Sequence, residues 1–189
     1  MSLVPKLIVN HRGRHEKVLT TILEELSSCS SFDIAVAFIT QSGVACIIEA
    51  LKKLEQRGVK GRILSSTYLN FTQPNALDSL LQFSNLELKM DVSNDFHSKG
   101  FLFYKSDSNY SLYIGSSNLT SSALTTNVEL NVGLRYLSED DVFLNQYRSD
   151  FDEYWNGAVD VDQDFIDRYS EIYFSSKLYS NKHKLPSSE

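Results

Sequence analysis

Two cationic side chains stand two residues apart in the stretch FHSKGFLFYK, residues 96–105. His97 and Lys99 precede alternating aromatic and aliphatic residues, a pattern that predicts a buried β-strand. Side chains at positions i and i+2 of a strand point to the same face, so we expect both cations to lie side by side. Together they can bind one anion. The spacing therefore predicts an anion site, most simply for a phosphate, at one edge of a sheet.

A second polar segment, GSSNLTSSAL, follows a predicted β-hairpin at residues 115–124. Gly115 permits a tight turn, and Ser116, Ser117 and Asn118 are of the residue types that cap the start of a helix. A strand that runs into such a cap directs backbone N–H groups and side-chain donors toward a phosphate. We therefore expect Gly115, Ser116 and Ser117 to bind phosphate, with Asn118 beside them.

A carboxylate follows on the next predicted strand, where the segment NVE ends at Glu129. A carboxylate beside a histidine can hold the ring tautomer through Nδ1 and raise the histidine pKa, which leaves Nε2 free for chemistry. We expect Glu129 to do this for His97. Each residue alone is of a common structural type, so the prediction depends on the ordered set. His15 and Lys17 have the same spacing, but they lie on a predicted helix, where positions i and i+2 do not share a face.

Alternating helical and β-rich segments supply the elements that must position these residues. Helices are predicted over 16–26, 42–58, 74–83, 143–157 and 164–173, and strands over 32–38, 59–66, 86–91, 99–105, 110–115 and 127–136. The order of strand, helix and strand in the first half predicts parallel pairing. The polar turn SDSN between the two aromatic strands predicts an antiparallel hairpin. The pattern is that of an α/β protein with a mixed sheet.

Composition limits the class of protein. With 189 residues, of which 42% are hydrophobic, the chain can close one sizeable core. It lacks an apolar run of about 18 residues and a signal-peptide pattern, so we expect a cytoplasmic protein without a membrane partner. The net charge of −6 argues against a general polyanion-binding surface. Cys29 and Cys46 lack metal-ligand spacing, and we expect both to be reduced packing residues.

Some other residues have two possible roles. Two basic groups can flank a cleft for a nucleic-acid backbone: Lys6, His11, Arg12, Arg14 and Lys17, and then Lys52, Lys53, Arg57, Lys60 and Arg62. The second group better fits a solvated surface, whereas both roles stay open for the first. Tyr68 and Phe71 can stack on a base or pack beneath a loop, and packing is the commoner role of aromatic residues.

Taken together, FHSKGFLF, YIGSSNLTSSAL and NVE resemble the HxK…GSxN…E signature of the phospholipase D superfamily, most closely its single-motif bacterial nuclease branch. FDIAVAFITQSG and GRILSSTYLNFTQPNALDSLL are similar to the phospholipase-D-like nuclease domain that precedes superfamily II helicases, and similar domains occur in some restriction endonucleases. The resemblance covers most of residues 1–157. It implies an α/β/α sandwich with a central mixed sheet, followed by a C-terminal helix and a polar tail or linker over 158–189. The longer pattern HxKxxxxD expects aspartate where this chain has Tyr104.

This resemblance implies a metal-independent phosphodiesterase that uses two histidines. One attacks phosphorus to form a phosphohistidine, and the other protonates the leaving oxygen. Because the chain has one motif, the resemblance implies a homodimer in which each chain supplies His97. Lys99, Asn118 and Ser116 would bind the non-bridging oxygens. No metal or cofactor is implied, and the expected substrate is DNA, with the chain forming a domain of a larger helicase or restriction protein.

Two alternatives remain at this point. A phospholipase-type lipid phosphodiesterase would use the same chemistry, but it would need an exposed apolar rim or an interfacial helix. A non-catalytic module for DNA binding or dimerisation would keep the fold without turnover. Assays with DNA and with liposomes, together with a search for a trapped phosphohistidine, separate these hypotheses.

Overall fold

The computed structural model describes residues 5–10, 17–106 and 108–182, so His11, Arg12, Arg14, His15 and His183 lie outside the described residues. One mixed sheet has the strand order β1-β7-β6-β5-β2-β3-β4-β8. The strands are β1 (Lys6–Ile8), β2 (Ser31–Val36), β3 (Lys60–Ser66), β4 (Leu86–Asp91), β5 (Lys99–Tyr104), β6 (Tyr110–Gly115), β7 (Asn131–Leu137) and β8 (Val159–Asp160). The helices are α1 (Val18–Ser28), α2 (Gln41–Gln56), α3 (Pro74–Leu81), α4 (Ser121–Thr125), α5 (Val142–Gly157) and α6 (Gln163–Lys182).

The order of strands follows from two kinds of connection. Strand β2 pairs in parallel with β3, and β3 with β4, through the helical crossovers α2 and α3, as predicted. Thr40 caps α2 by accepting from the Gly43 N–H at 3.1 Å, and Pro74 occupies the first turn of α3. The antiparallel hairpin β5–β6 adds to β2. The carboxyl ends of β2, β3, β4 and β6 therefore share one edge of the sheet with the amino ends of β5 and β7.

Helices cover both faces of the sheet, which confirms the predicted α/β/α sandwich. Alternate residues of β2 point to opposite faces, so Ile34 enters the main core whereas Ala35 lies against the other layer. The main core receives apolar residues from α1, α2, α3, α4 and α6. On the second face, α5 packs Phe151 and Trp155 against Ala35. Cys29 belongs to the main core, where burial raises the pKa of its thiol to about 11, as suits a packing residue.

Residues beyond 157 contribute to the same core. Val161, Ile166 and Tyr169 are buried in it, and the Tyr169 hydroxyl donates to the Thr72 carbonyl at 2.8 Å. Helix α6 continues past its predicted end at residue 173, because its later turns still have partners on the loop that carries Phe71. The domain boundary after residue 157 stays a prediction, and the tail at 183–189 lies outside the described part of the chain.

A buried carboxylate joins three strands beneath α5. Asp33 on β2 accepts from Arg62 through both of its oxygens, each at 2.7 Å, and from the Tyr104 hydroxyl at 2.6 Å. Arg62 also pairs with Asp152 on α5 at 2.9 Å. Because these hydrogen bonds satisfy the buried charge, the network fastens α5 to the sheet. Tyr104, which departs from the longer sequence pattern, thus binds a carboxylate that β2 supplies.

Candidate active site

His97 and Lys99 lie at the shared strand edge, where β5 begins. The strand starts at Lys99, so His97 belongs to the preceding loop and not to the strand as predicted. The side chains still meet: Lys99 Nζ lies 3.0 Å from Nδ1 of His97 and donates to the His97 backbone oxygen at 2.8 Å. Phe96 anchors the loop, because its ring is buried against Tyr154 of α5 at a centroid distance of 5.4 Å. The backbone that carries the exposed imidazole is therefore held in place.

The contact with Lys99 determines the tautomer of neutral His97. An ammonium group has donors and no acceptor, so Nδ1 must accept and Nε2 carries the ring proton. The predicted contact between Glu129 and Nδ1 is wrong for this structure, because Lys99 occupies that position. Instead, Oε2 of Glu129 accepts from the Ser116 hydroxyl.

The pKa of His97 is lowered, where the sequence predicted that Glu129 would raise it. Partial desolvation of the otherwise exposed ring disfavours the imidazolium form, and the positive charge of Lys99 opposes it further. Burial also lowers the pKa of Lys99, and the negative charge of Glu129 counteracts this effect. Glu129 thus acts electrostatically on the lysine. The lowered pKa favours the neutral form of His97, which is the form of a histidine that can act as a nucleophile.

We expect Lys99→Met to raise the pKa of His97 toward its ordinary value, because the substitution removes the neighbouring positive charge. A higher pKa means that protonation begins at a higher pH, so the neutral fraction near pH 6.5 falls. NMR titration of the His97 ring measures the shift. Lys52→Met, on the exposed side of α2, is the matched control and should leave it unchanged. A pKa that stays constant or falls in Lys99→Met contradicts this role.

The segment 115–118 does not cap α4, contrary to the prediction. Thr120 is the cap residue, and its hydroxyl accepts from the Ala123 N–H at 3.2 Å. Gly115 is required for a different reason: a Cβ there would lie 2.2 Å from the carbonyl oxygen of Leu130, the residue just before β7. The glycine therefore allows two backbones to approach closely.

Both serine hydroxyls of this segment are engaged within the protein. Ser117 is fully buried; its N–H donates to Oδ1 of Asn131 at 3.3 Å and its hydroxyl accepts from Nδ2 at 2.9 Å. Ser116 donates to Glu129 and accepts from the Leu130 N–H at 3.0 Å. This geometry does not support the predicted side-chain role of Ser117 in binding phosphate. Ser116 instead positions Glu129.

Asn118 presents a donor beside Phe38, whose ring contacts His97. Its Oδ1 accepts from the Phe38 N–H at 3.0 Å, which fixes the orientation of the amide. A bridge between Ile39 and Leu119 holds the two loops together. Nδ2 has no partner among the residues that the structure describes, so it remains available to a ligand. Lys99 and Asn118 can therefore both donate to the oxygens of one phosphate.

An aromatic cluster of Phe38, Tyr68 and Phe71 borders His97 on the β2–β3 side. The sequence favoured packing beneath a loop for Tyr68 and Phe71, but the Phe71 side chain is 45% exposed. Phe38 was missed, although its position directly after a buried strand was a usable signal. Lys177, which lies near Phe71, gave no such signal because it is distant along the chain.

The second basic group was interpreted as a solvated surface, but two of its arginines, Arg57 and Arg62, are engaged within the fold. Lys52 pairs with Glu49, Arg57 donates to the carbonyl oxygens of Ser27 and Cys29, and Arg62 binds Asp33. In the described ranges there is no group of three or more His, Cys, Asp or Glu side chains that could hold a metal ion. Across the same residues, no helix has the length and apolar character needed to cross a membrane.

The chain is similar to known proteins in sequence and in fold. The family model for the cardiolipin synthase, PLD-like domain matches residues 22–155. Nuc of Salmonella typhimurium, a phospholipase D family member, superposes with a TM-score of 0.64 at 19% identity, over 85% of this chain and 100% of Nuc. NucT of Helicobacter pylori gives 0.66 at 18% identity, with 85% and 100% covered.

A third solved structure is similar over part of its length. Phosphatidylserine synthase of Haemophilus influenzae Rd KW20 gives a TM-score of 0.62 at 12% identity, over 94% of this chain and 47% of that protein. A comparison with curated proteins found no match. These likenesses agree with the mixed sheet flanked by helices, and the fold alone does not select a substrate.

Proposed function

Because the chain belongs to the family of the cardiolipin synthase, PLD-like domain, we propose that it is a metal-independent phosphodiesterase that cleaves DNA through a phosphohistidine. The main support is the contact between Lys99 Nζ and Nδ1 of His97 at 3.0 Å. It lies at the sheet edge where Asn118 presents a second donor. A nucleophile and two donors converge there, as phosphoryl transfer requires.

The proposed reaction begins with the release of Nδ1. A bound phosphodiester competes for the Lys99 ammonium and frees Nδ1. The ring proton then moves through solvent from Nε2 to Nδ1, which leaves the Nε2 lone pair free to attack. Nε2 then forms a bond to phosphorus while the bond from phosphorus to the leaving oxygen breaks. Lys99 and Asn118 stabilise the charge on the non-bridging oxygens. Water hydrolyses the phosphohistidine and restores the imidazole.

A second chain would supply the proton for the leaving oxygen. His97 is the one histidine within the described ranges, so the proposed site needs His97 of the partner subunit, in its doubly protonated imidazolium form, as its general acid. The two rings exchange roles in the second step, when the acid becomes the base that takes the proton from water. One chain thus provides half of the catalytic site.

An exposed apolar surface beside the site supports this pairing. Leu7, Leu130 and Val132 are 60%, 60% and 45% exposed, and Leu7 lies opposite Val132 on strands β1 and β7. On the same sheet face, helix α5 packs over β2 and β3 and, through Leu144 and Tyr147, also over β5, β6 and β7. Leu7 and Val132 remain exposed on the outer strands of this face. We assign Leu7, Leu130 and Val132 to the dimer surface. A two-fold axis there would bury them next to Glu129.

The substrate is tested by offering DNA and phospholipid vesicles to the purified protein in excess EDTA. DNA cutting that persists under chelation is the expected result, and cutting that disappears contradicts the metal-independent reaction. Release of phospholipid headgroups without DNA cutting would favour the alternative function, a phospholipase-type lipid phosphodiesterase. DNA binding with neither cutting nor a trappable phosphohistidine would favour the non-catalytic module. Membership in a larger helicase or restriction protein is part of the same proposal.

A further inference from the structure

The aromatic cluster surrounds the reactive histidine on the side away from Glu129. The ring of Phe38 is its centre, with centroid distances of 5.0 Å to Phe71, 6.2 Å to Tyr68 and 5.6 Å to His97. Tyr68 also contacts His97, at 5.4 Å. A group bound against these rings would therefore lie immediately beside the phosphate at His97.

The loop that carries the cluster keeps its apolar side chains at the surface. Phe71 and Leu69 are 45% and 60% exposed, although a large core lies directly beneath. Leu69 and Asn70 have φ values of 51° and 50°, a region that side-chain-bearing residues seldom adopt. The buried Thr72 fixes the end of the loop by donating to the Ser66 carbonyl at 2.9 Å. Backbone strain at Leu69 and Asn70 thus accompanies the exposure of the Phe71 ring, and strain of this kind occurs where a protein binds a ligand.

Cations stand at both ends of the aromatic cluster. Lys99 Nζ lies 6.0 Å from the Phe38 ring centroid. At the other end, Lys177 Nζ of α6 lies 5.0 Å from the Phe71 centroid. The order of cation, aromatic rings and cation matches the order of phosphate, base and phosphate along a nucleic-acid strand. A lipid chain would gain nothing from the second cation.

We propose that the aromatic cluster and Lys177 bind one unpaired nucleobase and its next phosphate, so that the site takes single-stranded nucleic acid with the scissile phosphate at His97. This inference rests on the proposed function. A base within a duplex already has both faces stacked, and only an unstacked base can offer a face to Phe71. The flat rings accept any base, so this surface selects strandedness and not sequence.

The test measures binding separately from cutting. In a His97→Gln background, fluorescence anisotropy gives the dissociation constants for a labelled oligodeoxynucleotide and for a strand of equal length built from abasic sites. Phe71→Ala should weaken binding of the base-bearing strand about 10-fold, since one stacked base contributes about 1–3 kcal/mol. The affinity for the abasic strand should not change. Phe71→Leu, which keeps an apolar contact without a ring, should behave in the same way.

Two further variants separate the ring from the charge. Phe71→Trp should restore affinity, and its indole fluorescence should be quenched by the base-bearing strand alone. Lys177→Met should weaken both strands equally and reduce the slope of log K against log salt by about 0.7, as expected for one phosphate contact on a single strand.

Four results would overturn the inference: no loss in Phe71→Ala, equal loss for both strands, the same dependence on Phe71 for duplex DNA, or a shift of Phe71→Ala from dimer to monomer. The last would assign the cluster to a subunit interface. If the wild-type protein cuts DNA in EDTA and Phe71→Ala has no effect, this inference fails alone. If base-dependent binding occurs but the wild-type protein does not cut, the proposed function fails and the binding surface stands.

Discussion

Replacing His97 with alanine should reduce DNA cutting by at least about 10⁴-fold, because the substitution removes both the nucleophile and the general acid from the shared site. His97 is exposed, so the variant should fold as the parent does. Ser98→Ala, the next exposed position of the same loop, is the matched control and should retain near-parental activity. Initial rates on a labelled oligonucleotide, measured at equal concentrations of folded protein, provide the comparison.

The expected loss is larger than any that a purely structural histidine would produce. A decrease of less than about 10-fold in His97→Ala would show that another residue attacks phosphorus. Circular dichroism of both variants shows whether misfolding contributes to a loss of activity. The same preparations, denatured at alkaline pH during turnover, should show a phosphohistidine in Ser98→Ala and none in His97→Ala.

Val132→Asp should dissociate the dimer and abolish cutting at dilute protein concentrations. An unpaired charge buried in an interface costs about 3–5 kcal/mol, which corresponds to a loss of roughly 10²- to 5 × 10³-fold in the association constant. The two-fold axis would place two such charges in the interface. Analytical ultracentrifugation and DNA cutting, measured over the same concentration series, should decline together.

Raising the protein concentration distinguishes dissociation from misfolding, because mass action restores a weakened dimer but not a damaged fold. Val142→Asp is the control: Val142 is 82% exposed at the start of α5, outside the proposed dimer surface, and its substitution should have no effect. Leu130→Asp tests the same surface if Val132→Asp does not fold. A Val132→Asp monomer that cuts DNA at the parental rate would contradict a shared site.

Periodicity predicted the elements that carry many local contacts. The helices α2 and α3 and the parallel strands they connect follow from regular apolar spacing, and the β5–β6 hairpin follows from its alternation and polar turn. Strands β1 and β8, with three and two residues, are too short for any period to show. Their places in the sheet depend on pairing with distant strands.

In the candidate site, residue types were predictable but partners were not. The sequence brought His97 and Lys99 together correctly, because their separation of two residues limits how far apart they can lie. The partners of Ser117 and Glu129 depend on where β7 pairs with β6, which no local pattern reveals. Hence the phosphate-binding role expected of Ser117 was not supported. Glu129 acts electrostatically on Lys99 and does not contact the imidazole of His97.

The most direct test of a catalytic site shared by two chains is the rate of DNA cutting by mixed dimers of parental and His97→Ala chains. If each site needs an imidazole from both chains, mixed dimers are inactive, and an equal mixture after subunit exchange keeps about a quarter of the parental rate. If each chain works alone, the same mixture keeps about half. A shared site predicts a rate that depends on the square of the parental fraction, and a linear dependence would contradict it.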